Sequence, residues 1–293
     1  KNMLKESFMN YILVTGGTGF IGSHLVEKLL KNNHYLILLK RSFSDIWRIK
    51  HLIKKFSSQL VVVDVDLINL EEVFLKYEIE GVFHLATYYN KNPTFEEIKP
   101  MAETNILFPT ELINLSVKYD VKYFINTGTF MEYTLNEDQL VCSYDLDPKI
   151  FYASTKISFE NILKYFSNNY NIHAATLKLY SPYGDKDNAK LIPYLISNIL
   201  ENKEISINYP DNKLNLVHVD DIVEAFIKVK ENIMEFDKYE SFDISNNNSY
   251  ALKDLYNFIE SFIEHRCFRP VAVKGKERNI ERNVLLVNGE KFY

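Results

Sequence analysis

Four of the nine glycines in this chain, Gly16, Gly17, Gly19 and Gly22, fall within seven residues. They follow an apolar, β-branched run at 11–15 and open an amphipathic pattern at 21–31. It is this order of strand, glycines and helix that makes such a cluster informative. Gly16 permits a tight turn, Gly19 lets the backbone approach a pyrophosphate, and Gly22 lets the helix pack close to the strand. The helix N-terminus then offers free N–H groups and partial positive charge to phosphates. The loop reads as a dinucleotide-binding turn, which commits the chain to a strand-led α/β fold.

The rest of the first 180 residues agrees with that reading. Apolar runs at 35–39, 60–65, 82–85, 123–126 and 174–179 read as buried strands, with helical patterns at 45–56, 70–77, 98–119 and 151–170. Such alternation predicts a parallel sheet covered on both faces, with strands apolar throughout; YILV, LILL, LVVV and VFHL fit. After Tyr183-Gly184 the rhythm loosens into helical patterns near 189–202, 220–230 and 252–265, with a short strand near Ile205. The expectation is a Rossmann-type doubly wound parallel sheet over 9–180 with about 214–245, plus a smaller C-terminal α/β substrate lobe over about 181–213 and 246–293.

With 34 Lys and Arg against 39 Asp and Glu, the 293 residues carry a formal charge of −5, which argues against a protein built mainly to grip nucleic acid. No apolar run approaches the ~18 residues of a membrane span, and the opening Lys1 to Phe8 is too short and too polar for a signal peptide. Cys142 and Cys267 are the only cysteines, so neither a disulfide framework nor a cysteine-rich zinc site is available. These features predict a cytoplasmic protein without a membrane or nucleic-acid partner. His84 lies in a buried strand, while Asp220 and Asp221, just after His218, open a helix, so no metal site is expected from them.

The end of the second strand reads a cofactor's 2′ position. A site preferring NAD carries Asp or Glu there; this sequence has Lys40-Arg41-Ser42. A guanidinium stacks on adenine and pairs with a 2′-phosphate that a carboxylate would repel, so NADP is expected and NAD is the alternative. Asp66, followed by Leu67 after the third strand, is placed to accept from the adenine amino group, with Asp64 as its competitor. Tyr152 and Lys156 stand four residues apart and so share a helix face. A phenol titrating near ~10 is a poor catalyst at neutral pH; an adjacent ammonium and a bound nicotinamide's positive charge bring it toward working pH. A third group is expected at the end of the fifth strand, where Thr127 can hold a substrate oxygen and Thr129 is the alternate.

T-G-G-T-G-F-I-G at 15–22, H-L-A-T at 84–87, a threonine ending the fifth strand and Y-A-S-T-K at 152–156 together resemble an extended short-chain dehydrogenase/reductase. More narrowly, the chain is similar to the NAD-dependent epimerase/dehydratase family of nucleotide-sugar enzymes. L-K-L-Y-S-P-Y-G at 177–184 and V-H-V-D-D at 217–221 extend the likeness over most of the chain. The resemblance implies a catalytic triad of Thr127, Tyr152 and Lys156. It implies cofactor contacts from Gly16, Thr18, Gly19, Phe20, Ile21 and Gly22, from Arg41, Asp66 and Leu67, and from Leu85, Ala86 and Thr87. Asn105, matching a helix-kinking asparagine, and Tyr180 and Pro182 complete that set. Tyr88, Thr129, Ser181 and Arg278 are the implied substrate positions, Arg278 as a diphosphate clamp. Leu214, with Lys213 and Asn215 beside it, stands where many relatives carry an arginine for that purpose.

Departures narrow the chemistry. Family 4,6-dehydratases follow the catalytic threonine with Asp-Glu, whereas Gly128-Thr129 follow here. No acid–base pair for epimerisation at C3 or C5 stands out, Cys142 belonging to the loop before the catalytic helix. What remains is hydride transfer at one carbon, and N-T-G-T-F with H-L-A-T-Y-Y looks closest to 4-ketoreductases of the CDP-abequose synthase type. The expected activity is NADP-dependent reduction of the 4-keto group of a nucleotide-diphosphate sugar, for cell-surface polysaccharide. A C4 epimerase with tightly bound NAD is the alternative, and a non-catalytic NADP-binding sensor a third reading. The family also implies a segment beyond Tyr293 and a homodimer in which the helices at 98–119 and 151–170 pair as a four-helix bundle. Ile106, Leu112, Ile113, Ile157 and Ile162 exceed what one sheet-facing stripe requires.

Overall fold

A computed structural model describes residues 9–133, 146–187, 190–207 and 209–264. The chain runs β1 (Asn10–Thr15), α1 (Phe20–Lys31), β2 (Tyr35–Lys40), α2 (Lys50–Lys55), β3 (Leu60–Asp64), α3 (Leu70–Lys76), β4 (Glu78–His84) and α4 (Phe95–Ala102). A π-helical turn (Glu103–Leu107) leads into α5 (Phe108–Lys118), followed by β5 (Tyr123–Thr129), a 3₁₀ turn (Phe130–Glu132), α6 (Phe151–Asn169) and β6 (His173–Leu179). Then come β7 (Ser181–Tyr183), α7 (Leu191–Leu200), β8 (Lys213–Leu214), β9 (Leu216–His218), α8 (Val219–Asn232), β10 (Tyr239–Ile244), β11 (Tyr250–Ala251) and α9 (Leu252–Glu264).

The main sheet has the order β10-β6-β5-β4-β1-β2-β3, and every pairing from β3 through β6 is parallel. Strand order reverses between β1 and β4, and ligands of open α/β sheets bind beyond the carboxyl ends of the strands at such a switch point. The strands are apolar on both sides because helices cover both. On one face Leu13, Ile37, Val82, Phe124 and Ala174 pack with Leu112 and Ile113 of α5 and Phe159 and Leu163 of α6. On the other, Phe83 meets Phe226 of α8 with ring centres 6.0 Å apart.

Three features depart from the sequence expectation. The helix expected at 45–56 is reduced to α2, because Asp45 Oδ1 accepts from the backbone N–H of Trp47 at 2.9 Å and makes a turn instead. The helix expected at 98–119 begins earlier, at Phe95, behind a Thr94–Glu97 capping box. Its interruption falls at Asn105, where the resemblance implies a kink: Pro109 has no N–H to give the carbonyl of Asn105, and the chain widens to a π turn in which Phe108 N–H reaches Glu103 O. Finally, β10 is a seventh strand of the main sheet that the apolar runs did not disclose.

Contacts divide the chain into two compact units. The first gathers 9–132, 148–179 and 220–242, and the second the described residues of 133–147, 180–219 and 243–264. In the second unit β7 pairs with β9 in parallel and β8 with β11 antiparallel, beside a core of Leu195, Ile199, Ile205, Ile207 and Tyr256. No described helix is long and apolar enough to cross a membrane.

Candidate active site

The glycine loop leaves β1 through Gly16 at φ +70°, where a Cβ would lie 2.5 Å from Ala86 N and from the Leu85 carbonyl carbon. Only glycine lets the two strand ends at the switch point approach this closely. Gly22 is equally constrained, since a Cβ there would stand 2.2 Å from Gly16 O. Gly19 is the N-cap of α1 and makes no side-chain cap, and the first turn holds no acid. A Cβ on Gly19 would have only Gly16 O, at 3.1 Å, for company. An uncapped helix N-terminus with open space in front of it suits a pyrophosphate. Thr18, Phe20 and Ile21 line this turn half-exposed.

Thr15 and His84 tie the ends of β1 and β4 together. Thr15 Oγ1 accepts from Leu85 N and Ala86 N at 3.2 Å each and lies 2.8 Å from His84 Nδ1. Its own hydrogen therefore goes to His84 Nδ1, and the imidazole carries its proton on Nε2. His84 is wholly buried, and burial holds it well below its ordinary value, hence neutral.

Asn105, at the π turn, fixes the segment after β4. Its Oδ1 accepts from Thr87 Oγ1 (3.1 Å) and Tyr88 N (2.8 Å), and its Nδ2 donates to Tyr88 O (3.0 Å) and Thr155 Oγ1 (3.0 Å). All four hydrogen-bonding positions of the amide are filled by protein. Asn105 thus positions Thr87 and Tyr88, as Thr15 positions Leu85 and Ala86, rather than offering an atom of its own to a cofactor. Tyr88 donates its hydroxyl to Glu97 Oε1 at 2.6 Å. The next residue, Tyr89, instead sets its ring edge-on to Tyr152, with centres 4.8 Å apart; the sequence reading did not single it out.

Tyr152 and Lys156 lie one turn apart on α6, 8% and 2% exposed. Burial pushes the phenol up to about 12, with Thr87 hydrogen-bonding against that rise and the charge on Glu132 adding to it. Burial brings the Lys156 ammonium down to about 8, opposed by Glu132 and Glu160. The sequence reading lowers Tyr152 through its lysine; in the structure desolvation of the phenol is the largest influence and works the other way.

Thr127 is placed differently from the expectation. Thr127 stands in register with Leu177, and Gly128 with Lys178. A Cβ on Gly128 would meet Thr176 and Lys178, on the side where Phe159 of α6 packs on Phe124. Side chains alternate along a strand, so Thr127 faces away from α6. Its hydroxyl is buried without a hydrogen-bond partner among the described residues. Thr129 is 6% exposed and its Oγ1 accepts from Met131 N.

At the end of β2, Arg41 is half-exposed and its Nε lies 2.5 Å from Asp66 Oδ1; Asp66 Oδ2 accepts from Ser42 N at 2.8 Å. Asp64 is more fully engaged, by Lys40 Nζ (2.8 Å), Ser42 Oγ (3.0 Å) and Asp66 N (3.1 Å). Lys40 holds its carboxyl below the ordinary range, and Asp66 is the freer of the two candidates for an adenine. Leu67 is 76% exposed. In the second unit Ser181 and Pro182 are half-exposed in β7, whereas Tyr180 is 1% exposed and offers no surface for the expected nicotinamide contact. Lys213 and Leu214 form β8, and Asn215 is buried against Asn246. Arg278, Cys142 and Cys267 lie outside the described residues. Among the described residues no cluster of His, Cys, Asp and Glu could hold a metal ion.

The profile of the NAD dependent epimerase/dehydratase family matches residues 12–245. CDP-abequose synthase of Salmonella muenchen is 28% identical over 250 residues, 85% of this chain and 79% of that protein. The crystal structure of UDP-glucose 4-epimerase from Thermotoga maritima with UDP-glucose superimposes with a TM-score of 0.79 at 25% identity, covering 96% of this chain and 91% of that one. UDP-glucuronic acid 4-epimerase from Bacillus cereus, in complex with UDP-glucuronic acid and NAD, gives 0.81 at 20% identity over 96% and 91%.

Proposed function

The chain belongs to the NAD dependent epimerase/dehydratase family, NAD(P)-dependent nucleotide-sugar enzymes of the extended short-chain dehydrogenase/reductase type, and from that premise we propose that it reduces the 4-keto group of a nucleotide-diphosphate sugar with NADPH. The observation that carries this reading is the state of Tyr152. Its phenol is buried, edge-on to Tyr89 and on one helix face with Lys156, and burial keeps it protonated at neutral pH, so it carries the proton that a reduced ketone takes up; Lys156 and the charge of a bound nicotinamide are what bring its value toward working pH. The sequence similarity to CDP-abequose synthase supports the same direction.

In this reading Gly16, Gly19 and the N-terminus of α1 hold the pyrophosphate, Arg41 turns from Asp66 to a 2′-phosphate, and Asp66 accepts from adenine. Ala86, held by Thr15, and Thr87, held by Asn105, border the cofactor. Bound NADPH supplies the hydride to the carbonyl carbon. Tyr152 donates its proton to the ketone oxygen, and Lys156 holds the nicotinamide ribose. That oxygen's second hydrogen bond falls to Thr129, which ends β5 and whose Oγ1 only accepts, from Met131 N, rather than to Thr127, which faces away from α6. Tyr89, against Tyr152, takes the substrate-facing place expected of Tyr88. Dehydration lacks its acid and base, because Gly128-Thr129 follow Thr127.

A C4 epimerase with tightly held NAD is the second reading. It is favoured by the likeness to the Thermotoga enzyme and by the Arg41–Asp66 pair, which occupies the guanidinium that a 2′-phosphate would need. The two are separated by supplying NADPH with 4-keto sugar nucleotides and, separately, NAD with UDP-sugars. Stoichiometric NADPH consumption supports the reductase; interconversion of C4 epimers without net cofactor change overturns it.

A further inference from the structure

We propose that Asp66 sets the choice between NADPH and NADH, its carboxylate competing with the cofactor's 2′-phosphate for the guanidinium of Arg41. The inference deepens the proposed function and rests on its placing of the cofactor's adenosine end beside β2 and β3. The loop leaving β2 is folded onto the end of β3. Arg41 N–H donates to Ser44 Oγ at 3.1 Å and Ser44 N–H to Arg41 O at 3.0 Å, which closes a turn. Ser42 donates its hydroxyl to Asp64 at 3.0 Å and its N–H to Asp66 Oδ2 at 2.8 Å. Asp64, also held by Lys40 Nζ at 2.8 Å, accepts from Asp66 N–H at 3.1 Å. These bonds fix the Asp66 carboxylate without help from Arg41.

The other oxygen, Asp66 Oδ1, meets Arg41 Nε at 2.5 Å. On its far side the guanidinium faces the ring of Phe43, which is 81% exposed, with Cζ 5.2 Å from the ring centre. Arg41 therefore lies between a fixed carboxylate and an aromatic ring, with 51% of its side chain still open to solvent. Lys40 is not a substitute, because its ammonium is spent on Asp64 and on Arg41 O. A phosphate and a carboxylate ask for the same planar fork of donors. NADPH must thus break the Arg41–Asp66 pair and then leave a second anion close to the freed carboxylate. NADH carries no 2′-phosphate and binds with the pair intact. Ion pairs at the surface are weak, so the competition tempers the preference for NADPH without abolishing it.

Trp47, the chain's only tryptophan, lies in the same loop between β2 and α2, so quenching of its fluorescence reads dinucleotide binding without turnover. Kd values for NADPH and NADH are measured on the whole chain for the wild type, Asp66→Asn, Arg41→Ala and the double variant. Asp66→Asn keeps an acceptor for Ser42 N–H and removes the charge. Any loss of an acceptor for adenine falls on both cofactors alike, so the ratio of the two Kd values isolates the competition. Asp66→Asn is expected to shift that ratio about fivefold toward NADPH, and to shift nothing once Arg41 is alanine. An unmoved ratio overturns the inference. A ratio moved toward NADH does so too, and marks Asp66 as the group that aims Arg41 at the phosphate. A shift that survives Arg41→Ala is plain charge repulsion and also overturns it. Wild-type protein that binds neither dinucleotide removes both the inference and the cofactor assignment. The expected shift without NADPH consumption on 4-keto sugar nucleotides removes the proposed reduction and leaves the role of Asp66 standing.

Discussion

The phenol of Tyr152 touches a ring edge at Tyr89 and a hydroxyl at Thr87, and shares one helix face with Lys156. Tyr152→Phe removes one oxygen, so folding and NADPH affinity are expected to survive while kcat falls by ~10²- to 10⁴-fold; near-normal turnover would require another donor. Thr127→Val and Thr129→Val are expected to cost less than this, and whichever of the two lowers kcat identifies the threonine that holds the ketone oxygen. Arg41→Ala is expected to raise KM for NADPH and leave NADH use unchanged; equal weakening of both leaves Arg41 as no more than Asp66's partner. His84 carries a pH consequence. Its folded value is depressed, so the unfolded chain takes up the proton first, and the stability that depends on a neutral imidazole is present above the ordinary value of 6.5 and lost as pH falls below it. His84→Leu is expected to flatten the stability slope below that pH by up to ~1.4 kcal/mol per unit, measured by urea denaturation at a series of pH values.

At the scale of elements, the glycine loop and the long helix behave differently. The spacing of Gly16, Gly19 and Gly22 relates one strand to the helix that follows it, a local relation, and the structure places each glycine where its lack of a side chain is used. Gly22→Ala would push a methyl group against Gly16 O. It is expected to cost about 1–3 kcal/mol and to weaken cofactor binding, as checked by urea melts and NADPH titration. The helix at 98–119 was less legible, because apolar periodicity does not register a missing N–H. Pro109 opens the ladder at Asn105, and the resulting π turn aims that amide at Thr87, Tyr88 and Thr155. Thr155 stood within the Tyr–Lys motif all along, but nothing in spacing reveals its partner fifty positions earlier.

For the whole molecule, we propose a homodimer through α5 and α6, on partly revised grounds. Leu112 and Ile113 are wholly buried in the core of their own chain and are not available to a partner. Leu107 and Tyr165 are 62% and 55% exposed, and Ile106, Ile157 and Ile162 are half-buried. Light scattering is expected to return twice the mass of the chain, and Leu107→Glu to return a single chain; a monomeric wild type at micromolar concentration removes the proposal. The sequence alone determined what depends on neighbours along the chain: the alternation of strands and helices, the turn at Gly16, and the common face of Tyr152 and Lys156. These follow from backbone geometry with periods of two and 3.6 residues. Only the tertiary structure decided what depends on residues distant in sequence. It joined β10 to the sheet, turned Thr127 away from α6, gave Tyr88 to Glu97 and Tyr89 to Tyr152, and brought Glu132, Glu160 and Lys178 together in the interior. Such pairings are set by packing and desolvation, and neither leaves a period in the sequence to be read.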